Sequence, residues 1–411
     1  MENQSKKHFL RVLWSSNAPW SNSGYGTQTE QVIKRIEAAG FPIAMASFYG
    51  LDGAIIEKDG ITHYPKMGMP YGEDALNFHS KDFKADISIT WQDVWAMNME
   101  HVNQVPRWVP WCPIDREPMG YPIVDHLRSA HRILACSRFG EKEIKSNGLY
   151  ATYIPCTVET AILKPSDTSK EDFRKAIAIP PGLFLFGMVS ANKEVPPRKS
   201  FQEVLDAFLL FQKEVPNSGI FFHINKIQGY VFPISEYAKY LGLEKSIFYL
   251  DDYIQMFKVK RTDMANFYSM MDCLLLPSSA EGFGMPAIEA QSCGTPVIVN
   301  NFTSMPELVI PEKTGFICDV GFKQFTPTMG YVGIPSVQSL FEQMMKVYKA
   351  DRVQMGKAAR EHVVKNYDAD TVFNENWLPY LSSIEHHIYG KYDIMATSET
   401  KDDKTSTSNI K

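Results

Sequence analysis

The stretch that decides the fold is residues 278–290, SSAEGFGMPAIEA, which follows the apolar run of residues 273–277. A buried strand that ends in a glycine-rich turn and then opens a helix presents free backbone N–H groups and the positive helix end, where a phosphate can bind. Glu281 lies in the turn and Glu289 in the helix, so the two acids belong to different local structures. Either glutamate alone could equally be a solvated residue of a surface helix. Together they suit a phosphorylated sugar or a ribose, because carboxylates accept hydrogen bonds from hydroxyls.

The spacing from Glu281 to Glu289 resembles the E-x7-E motif of retaining glycosyltransferases of the family 4 type, the glycogen-synthase-like and phosphatidylinositol-mannosyltransferase-like enzymes. The similarity continues through residues 294–298 and 305–309, where the family usually has G-x-P-V-I and G-x-x-E-x-V. Met305 and Pro306 stand where many relatives have a Gly-Gly turn, a change that could reshape the loop without removing the acid. The resemblance implies that Glu281 contacts the transferred sugar as a catalytic residue. It also implies a donor site made by Gly282, Phe283, Gly284, Met285 and Glu289.

The totals describe an ordinary soluble chain with room for two α/β domains: 411 residues, 44% apolar and 22% charged. A net charge of −5 gives no general attraction to nucleic acid or acidic membranes. No apolar run is long enough to cross a bilayer, and the first residues lack the apolar core of a signal peptide. We therefore expect a cytoplasmic protein without stable membrane insertion. The cysteines have no C-x-x-C pair and are expected to be reduced core residues instead of zinc ligands: Cys112, Cys136, Cys156, Cys273, Cys293 and Cys318.

The beginning of the chain has the pattern of a Rossmann-type unit. Apolar residues 8–16 predict a strand, a glycine-containing loop follows, and residues 27–39 have helical periodicity. The third glycine of the dinucleotide fingerprint is missing, and the next strand does not end in an acid that would hold a nicotinamide ribose, which argues against NAD. The family resemblance implies instead that Ser23, Gly24 and Tyr25 approach the donor phosphates.

Polar residues end the next two predicted strands, residues 85–93 and 107–115. Ligands of open α/β sheets bind at the carboxyl ends of strands, so Asp93 and Asp115 are candidates, with Asp115 predicted to be catalytic. Relatives often have histidine near this position, and the acid or base role of Asp115 therefore stays open. Several aromatic residues in this half could stack on sugar rings or equally belong to the core: Trp91, Trp95, Trp108, Trp111 and Tyr121.

A second Rossmann-like unit is predicted from the strand at residues 183–190 onward. Relatives place one basic residue after this strand and another before the next helix, both reaching the donor pyrophosphate. Arg198 and Lys199 match the second position and are predicted to be catalytic, and Lys193 is predicted to stand at the first. Taken alone, Arg198 and Lys199 could be a solvated helix start. A guanidinium fork and an ammonium group both suit a leaving diphosphate.

The predicted fold is α/β of the GT-B type, two Rossmann-like domains facing a central cleft. We expect an acceptor domain over residues 1–168, a polar hinge over 166–175, and a donor-nucleotide domain over 169–375. A helix over 376–392 is expected to return to the first domain, and residues 393–411 are expected to be a disordered polar tail. Asp368 and Asp370 form a D-x-D sequence, but their place before a helical segment favours capping over metal binding. His223, between apolar residues, is expected to be a core or hydrogen-bonded histidine and not a catalyst.

The function predicted from this resemblance is retaining transfer of a hexose or pentose from a nucleoside-diphosphate sugar to an acceptor hydroxyl, without a metal ion or other cofactor. A sugar-nucleotide epimerase on the same fold and a non-catalytic nucleotide-sugar-binding protein are the alternatives. The acceptor, which could be a glycan, a protein or a modified nucleic acid, stays open, as does the oligomeric state. The tryptophan-rich first half also resembles glycosyltransferases found in phage genomes.

Overall fold

Short apolar strands in two units form the framework of the chain. A computed structural model describes residues 8–193, 197–224 and 231–402, with side chains described as far as residue 390. The chain divides into two compact units. Unit 1 contains Met1–Trp91, Ala96–Val109 and Val372–Lys411, and unit 2 contains Gln92–Trp95 and Pro110–Thr371. The domain boundary near residue 168 remains a prediction.

Unit 1 contains strands in the order β3-β4-β2-β1-β5, parallel except for the β3–β4 pair. Every residue of β1 and β5 is buried, as expected for parallel strands that are covered on both faces. Its first elements are β1 (Val12–Asn17), α1 (Gly24–Ala38), β2 (Ile43–Tyr49), β3 (Ile56–Lys58), β4 (Ile61–Pro65), α2 (Glu73–Phe83), β5 (Ile87–Trp91) and α3 (Met99–Val102).

Unit 2 contains a parallel six-stranded sheet in the order β11-β10-β9-β12-β13-β14, the parallel strands β6-β7-β8, and an antiparallel hairpin, β15–β16. These parallel strands agree with the predicted α/β class. Its elements are β6 (Trp108–Cys112, whose first two residues fall in unit 1), α4 (Tyr121–Leu127), β7 (Ile133–Ala135), α5 (Arg138–Ser146), β8 (Ala151–Tyr153), α6 (Lys170–Ala176), β9 (Phe184–Val189), α7 (Phe201–Glu214), β10 (Ser218–His223), α8 (Ile234–Tyr240), β11 (Ile247–Tyr249), α9 (Asp252–Phe257), α10 (Met264–Met270), β12 (Cys273–Leu276), α11 (Met285–Ser292), β13 (Val297–Asn300), β14 (Gly315–Cys318), β15 (Val320–Phe325), β16 (Tyr331–Pro335), α12 (Val337–Lys349), α13 (Arg352–Asn366) and α14 (Ala369–Val372, whose last residue falls in unit 1).

The core of unit 2 is rich in phenylalanine. Phe186 on β9 meets Phe208 and Phe211 on α7 edge to face, and all three are fully buried. Burying one such side chain contributes about 1.5–3 kcal/mol relative to leaving it exposed. This packing holds α7 against β9 and so positions the residues directly before α7, which include the predicted basic pair.

The segment predicted to be a polar hinge, residues 166–175, contains a helix. Residues from Lys170 onward form α6, and Arg174 on this helix is only 1% exposed. Its guanidinium group donates to the carbonyl oxygens of Met270 and Leu183 and forms an ion pair of 2.8 Å with Asp272. Polar composition did not indicate that this charge is buried, and tertiary partners satisfy it. The role of the segment as a hinge stays a prediction.

The last helix, α15 (Leu378–Asp402), belongs to unit 1 and follows a π-helical turn at Phe373–Trp377. Trp377 packs on Trp14 with 5.5 Å between ring centroids, and Glu385 accepts hydrogen bonds from the backbone N–H groups of Phe9 and Leu10. The helix runs past residue 392 into the segment predicted to be a disordered tail, because no glycine or proline follows Gly390 to stop it. The rest of that tail, residues 403–411, lies outside the described residues.

Candidate active site

The turn between β12 and α11 is shaped by two glycines. Gly284 precedes α11 with φ +105°, a conformation that other residues rarely adopt, and no side chain caps the helix there. Gly282 packs so tightly that a Cβ atom would lie 2.2 Å from the Cβ of Pro113. Since no side chain caps α11, its first backbone N–H groups lack a side-chain partner. A helix start in this condition can bind a phosphate.

Glu281 joins the predicted basic pair. Its carboxylate accepts from the Lys199 ammonium and forms an ion pair with Arg198 at 3.1 Å, while Arg198 also donates to the carbonyl oxygen of Ala280 at 2.8 Å. Burial by itself would raise the pKa of Glu281, but the positive charges of Lys199 and Arg198 outweigh it and lower the pKa to about 2. The tertiary structure thus brings together three residues that the family resemblance marked in two separate segments.

Two hydroxyl groups hold the backbone of this turn. The Thr303 hydroxyl donates to the carbonyl oxygen of Glu281, and the Ser304 hydroxyl lies 2.9 Å from the carbonyl oxygens of both Glu281 and Phe283. Ser304 is fully buried, so these bonds are shielded from water. These hydrogen bonds fix the backbone conformation of the turn. Its N–H groups therefore need no rearrangement to bind a ligand.

Glu307, the acid that follows Met305 and Pro306, contacts the start of α5. Its carboxylate accepts from the backbone N–H groups of Arg138 at 3.0 Å and Phe139 at 3.1 Å, which open α5. Burial raises the pKa of Glu307, although these two N–H groups oppose the shift. The acid therefore satisfies two amides at a helix start, where a negative charge is favourable.

Glu289 on α11 has a partner from another helix. The Tyr268 hydroxyl on α10 donates to Glu289 Oε2 at 2.5 Å, and Tyr268 is fully buried. Burial raises the pKa of Glu289, while the Tyr268 bond and the positive charge of Arg261 oppose that shift.

Asp115 lies in a loop of unit 2 after β6. Its carboxylate forms an ion pair of 2.8 Å with Arg116, whose side chain is 16% exposed. The loop continues to Glu117, which forms a β-bridge with Tyr331 of the hairpin and an ion pair with Lys323. Because Pro113 abuts Gly282, the Asp115 loop and the Glu281 turn are neighbours within unit 2.

The first predicted loop, which contains Ser23, Gly24 and Tyr25, belongs to unit 1. The helix that was expected to follow it begins earlier in the sequence than predicted. The helix α1 starts at Gly24, not Thr27, with Ser23 as its N-cap; the Ser23 hydroxyl accepts from the N–H of Gly26 and from the Asn17 side chain. Gly24 and Tyr25 therefore form the first helical turn. Capping explains the difference, since serine is a preferred N-cap and apolar periodicity alone marks only the buried face.

Burial separates the predicted aromatic residues into two groups. Trp91, Trp108 and Trp111 are at most 4% exposed, and the indole N–H of Trp111 donates to the carbonyl oxygen of Ile154. Trp95 is 47% exposed and Tyr121 is 63% exposed, so only these two present a ring to solvent. Lys193 is also exposed, at the end of the described segment before residue 194.

The remaining predictions about polar and sulfur side chains concern structural roles. All six cysteines are free and buried, and His223 is half-buried, with desolvation lowering its pKa to about 4, which leaves it neutral. Asp368 accepts from the N–H groups of Asp370 and Thr371, so it caps α14 as predicted. Within residues 8–193, 197–224 and 231–402, no group of three or more His, Cys, Asp or Glu side chains could hold a metal ion.

The partners that hold the candidate residues in place could not be recognised from the sequence. Tyr268, Arg116, Thr303 and Ser304 each act through a contact with a predicted residue or its backbone. Only Arg116, adjacent in sequence to Asp115, carried a local signal. The others come from segments whose proximity no spacing rule reveals.

Part of the chain matches a family model. Residues 169–325 match the model described as Glycosyl transferases group 1. Among curated proteins, the chain is similar to N-acetyl-alpha-D-glucosaminyl L-malate synthase of Bacillus anthracis, with 25% identity over 158 residues. That alignment covers 38% of this chain and 37% of the relative, so the chain matches well under half of the relative's length. The second half of the chain is thus similar to group 1 glycosyltransferases.

Solved structures resemble nearly the whole chain. Sucrose-phosphate synthase from Thermosynechococcus elongatus has a TM-score of 0.72 at 16% identity, over 92% of this chain and 99% of that one. Anabaena HepE in complex with UDP-glucose has a TM-score of 0.69 at 16% identity, over 91% and 100%. The fold is therefore the two-domain α/β fold of GT-B glycosyltransferases, and the predicted fold class is confirmed. In the described part of the chain, no helix has both the length and the apolar character needed to span a membrane.

Proposed function

We propose that this protein is a retaining glycosyltransferase that moves a sugar from a nucleoside-diphosphate sugar to an acceptor hydroxyl. The observation that carries the proposal is the cluster of Glu281, Lys199 and Arg198 beside the uncapped start of α11. Two cations and a set of helix N–H groups can stabilise the negative charge that develops on a leaving diphosphate. Such stabilisation requires no metal ion or other cofactor.

Each residue then has a distinct task. Glu281, held ionised by its neighbours, accepts hydrogen bonds from hydroxyls of the transferred sugar, and Glu289 accepts from the ribose of the nucleotide. Gly282, Phe283, Gly284 and Met285 present their backbone to the diphosphate. Ser23, Gly24, Tyr25 and Lys193 are proposed as further donor contacts.

Retention of configuration follows from attack on the same face of the sugar. The acceptor oxygen forms a bond to the anomeric carbon as the bond to the diphosphate breaks, and the departing phosphate oxygen takes the acceptor proton. No protein nucleophile is needed in this scheme. Asp115 would orient the acceptor hydroxyl or the donor sugar.

The Anabaena neighbour was crystallised with UDP-glucose, which makes UDP-sugars the first donors to try here. The acceptor is proposed to be a hydroxyl of a glycan, a protein or a modified nucleic acid. The net charge of −5 favours neither DNA nor RNA.

The test is acceptor-dependent release of a nucleoside diphosphate. The protein is incubated with UDP-, ADP- and GDP-sugars and cell extract as acceptor source, and mass spectrometry follows transfer. An epimerase would convert the donor without an acceptor, and a binding protein would release no diphosphate. Lys199→Ala should lower turnover more than donor affinity, because it removes charge stabilisation from the transition state. Lys213→Ala, on the exposed surface of α7, is the matched control.

A further inference from the structure

The contact between Tyr268 and Glu289 suggests a function for a residue that lies outside the motif. Tyr268 is on α10 and is fully buried, and its hydroxyl donates to Glu289 Oε2 at 2.5 Å across 21 positions of sequence. A tyrosine hydroxyl has one proton to donate, and an ionised carboxylate can only accept, so the direction of this bond is set. The bond occupies one oxygen and fixes the plane of the carboxylate.

The backbone around Tyr268 is itself anchored. The buried Thr295 hydroxyl donates to the carbonyl oxygen of Tyr268 at 2.7 Å, which ties α10 to the turn before β13. The tyrosine ring thus enters from a rigid support. A hydroxyl aimed in this way orients a neighbouring carboxylate more strictly than water could.

We propose that Tyr268 is a positioning residue that orients the carboxylate of Glu289 as the acceptor for the ribose hydroxyls of the donor nucleotide. This inference rests on the proposed function of Glu289. The charged and titratable groups that face Glu289 are Tyr268, Arg261 and Cys293. Burial favours the neutral acid, and the Tyr268 hydroxyl and the Arg261 charge favour the carboxylate. Cys293 stays a neutral thiol, because burial and the nearby Glu289 charge raise its pKa.

Removal of the hydroxyl therefore has a pH signature. In Tyr268→Phe the pKa of Glu289 should rise, since a bond to the charged form is lost and burial remains. As the solution is acidified, nucleotide affinity should therefore begin to fall at a higher pH in Tyr268→Phe than in the parent protein. At alkaline pH, where Glu289 is ionised in both proteins, only the loss of orientation should remain, so the difference in affinity should be smallest there. A purely structural tyrosine would weaken binding equally at every pH.

The experiment is calorimetric titration with UDP, ADP and GDP across a pH series, in the full chain. We expect the pH of half-maximal affinity for the preferred nucleotide to move upward by about 1 unit in Tyr268→Phe, the size expected for one hydrogen bond to a charged group. Tyr237→Phe is the matched control, because the Tyr237 hydroxyl also donates to a carboxylate, that of Asp206, at 2.7 Å in the same unit. Since every protein binds the same probe, protonation of the nucleotide cancels in the comparison.

Glu289→Gln separates this inference from the proposed function. If Glu289→Gln leaves affinity unchanged for all three nucleotides, the ribose role fails. If it weakens affinity but Tyr268→Phe leaves the pH profile of the parent in place, the positioning role of Tyr268 alone is overturned.

A second measurement does not depend on the folding of Tyr268→Phe. Infrared difference spectra of the parent minus Glu289→Gln should show no protonated-carboxyl band for Glu289 at about pH 8, well above the ordinary pKa of a glutamate. Such a band at that pH would overturn the role of the Glu289 carboxylate as the acceptor that Tyr268 orients.

Discussion

At the scale of single residues, two cations stabilise the charge of Glu281, and the Glu281 carboxylate in turn stabilises the charges of both cations. Lys199 and Arg198 are mostly buried, with 13% and 22% of their side chains exposed. Neutralising the carboxylate would therefore leave two partly desolvated cations without their partner, which costs more than removing an exposed pair.

Glu281→Gln should lower the free energy of unfolding at neutral pH by about 1.5–3 kcal/mol, the range for hydrogen bonds to charged groups. Because the folded pKa of about 2 lies below the unfolded value, the stabilisation is present above about pH 4.3 and is lost as the pH falls toward 2. Urea unfolding from neutral to acidic pH measures this. Glu203→Gln is the control, since burial raises the pKa of Glu203. A destabilisation that persists unchanged at pH near 2 would contradict the assignment.

The prediction for Asp115 concerns transfer. Asp115→Asn preserves the shape of the side chain and removes its charge, and should reduce acceptor-dependent transfer at least ~10-fold, about 1.4 kcal/mol in the barrier. Nucleoside-diphosphate affinity should change little. Steady-state kinetics and calorimetry measure the two quantities. Transfer at the parent rate would remove Asp115 from the catalytic centre and make Asp93 the next candidate.

At the scale of elements, the start of α11 depends on a conformation that only glycine adopts easily. Gly284→Ala forces a side chain into φ +105° with its Cβ 3.1 Å from Leu308, and should cost about 1–3 kcal/mol. It should also weaken nucleoside-diphosphate binding, since the N–H groups of the helix start would be redirected.

Gly294→Ala is the control at the other end of α11, because Gly294 also has positive φ but nothing closer than 3.5 Å to its Cβ position. It should lose stability by roughly 1–2 kcal/mol and keep nucleotide affinity. Thermal melts and calorimetry compare the pair. Equal losses of affinity in both variants would show that the effect on Gly284 is general and not local to the phosphate cradle.

The helix α6 is held by the buried ion pair of Arg174 and Asp272, so Arg174→Met should destabilise unit 2 by about 3–5 kcal/mol. The exposed pair of Arg128 and Asp125 provides the control, and Arg128→Met should change stability by less than about 1 kcal/mol. Chemical denaturation gives both values. A small effect of Arg174→Met would mean that Asp272, which also accepts from the Leu185 N–H and Lys170, is satisfied without the guanidinium group.

At the scale of the whole molecule, charge neutralisation by protein groups predicts transfer without a divalent cation. EDTA should leave acceptor-dependent transfer unchanged, and added Mg²⁺ should not raise it, because in the proposed mechanism Lys199, Arg198 and the α11 start neutralise the leaving diphosphate. Transfer assays with and without chelator, on metal-free protein, measure this. Loss of activity with EDTA that Mg²⁺ restores would refute metal independence.

Local sequence determined the strand, turn and helix at residues 273–292, because an apolar run, two glycines and a proline each restrict the backbone within a few residues of themselves. The α/β class followed from repeats of that pattern. Sequence also marked Glu281, Glu289, Arg198 and Lys199, through their spacing within a family motif.

Tertiary structure alone decided which of these charges meet and which polar groups are buried. Glu281 pairs with Lys199 and Arg198 across more than 80 positions, Tyr268 reaches Glu289, and Arg174 is buried where composition predicted a solvated hinge. The physical reason is that backbone preferences act over a few residues, whereas the free energy of a charge depends on every group packed around it.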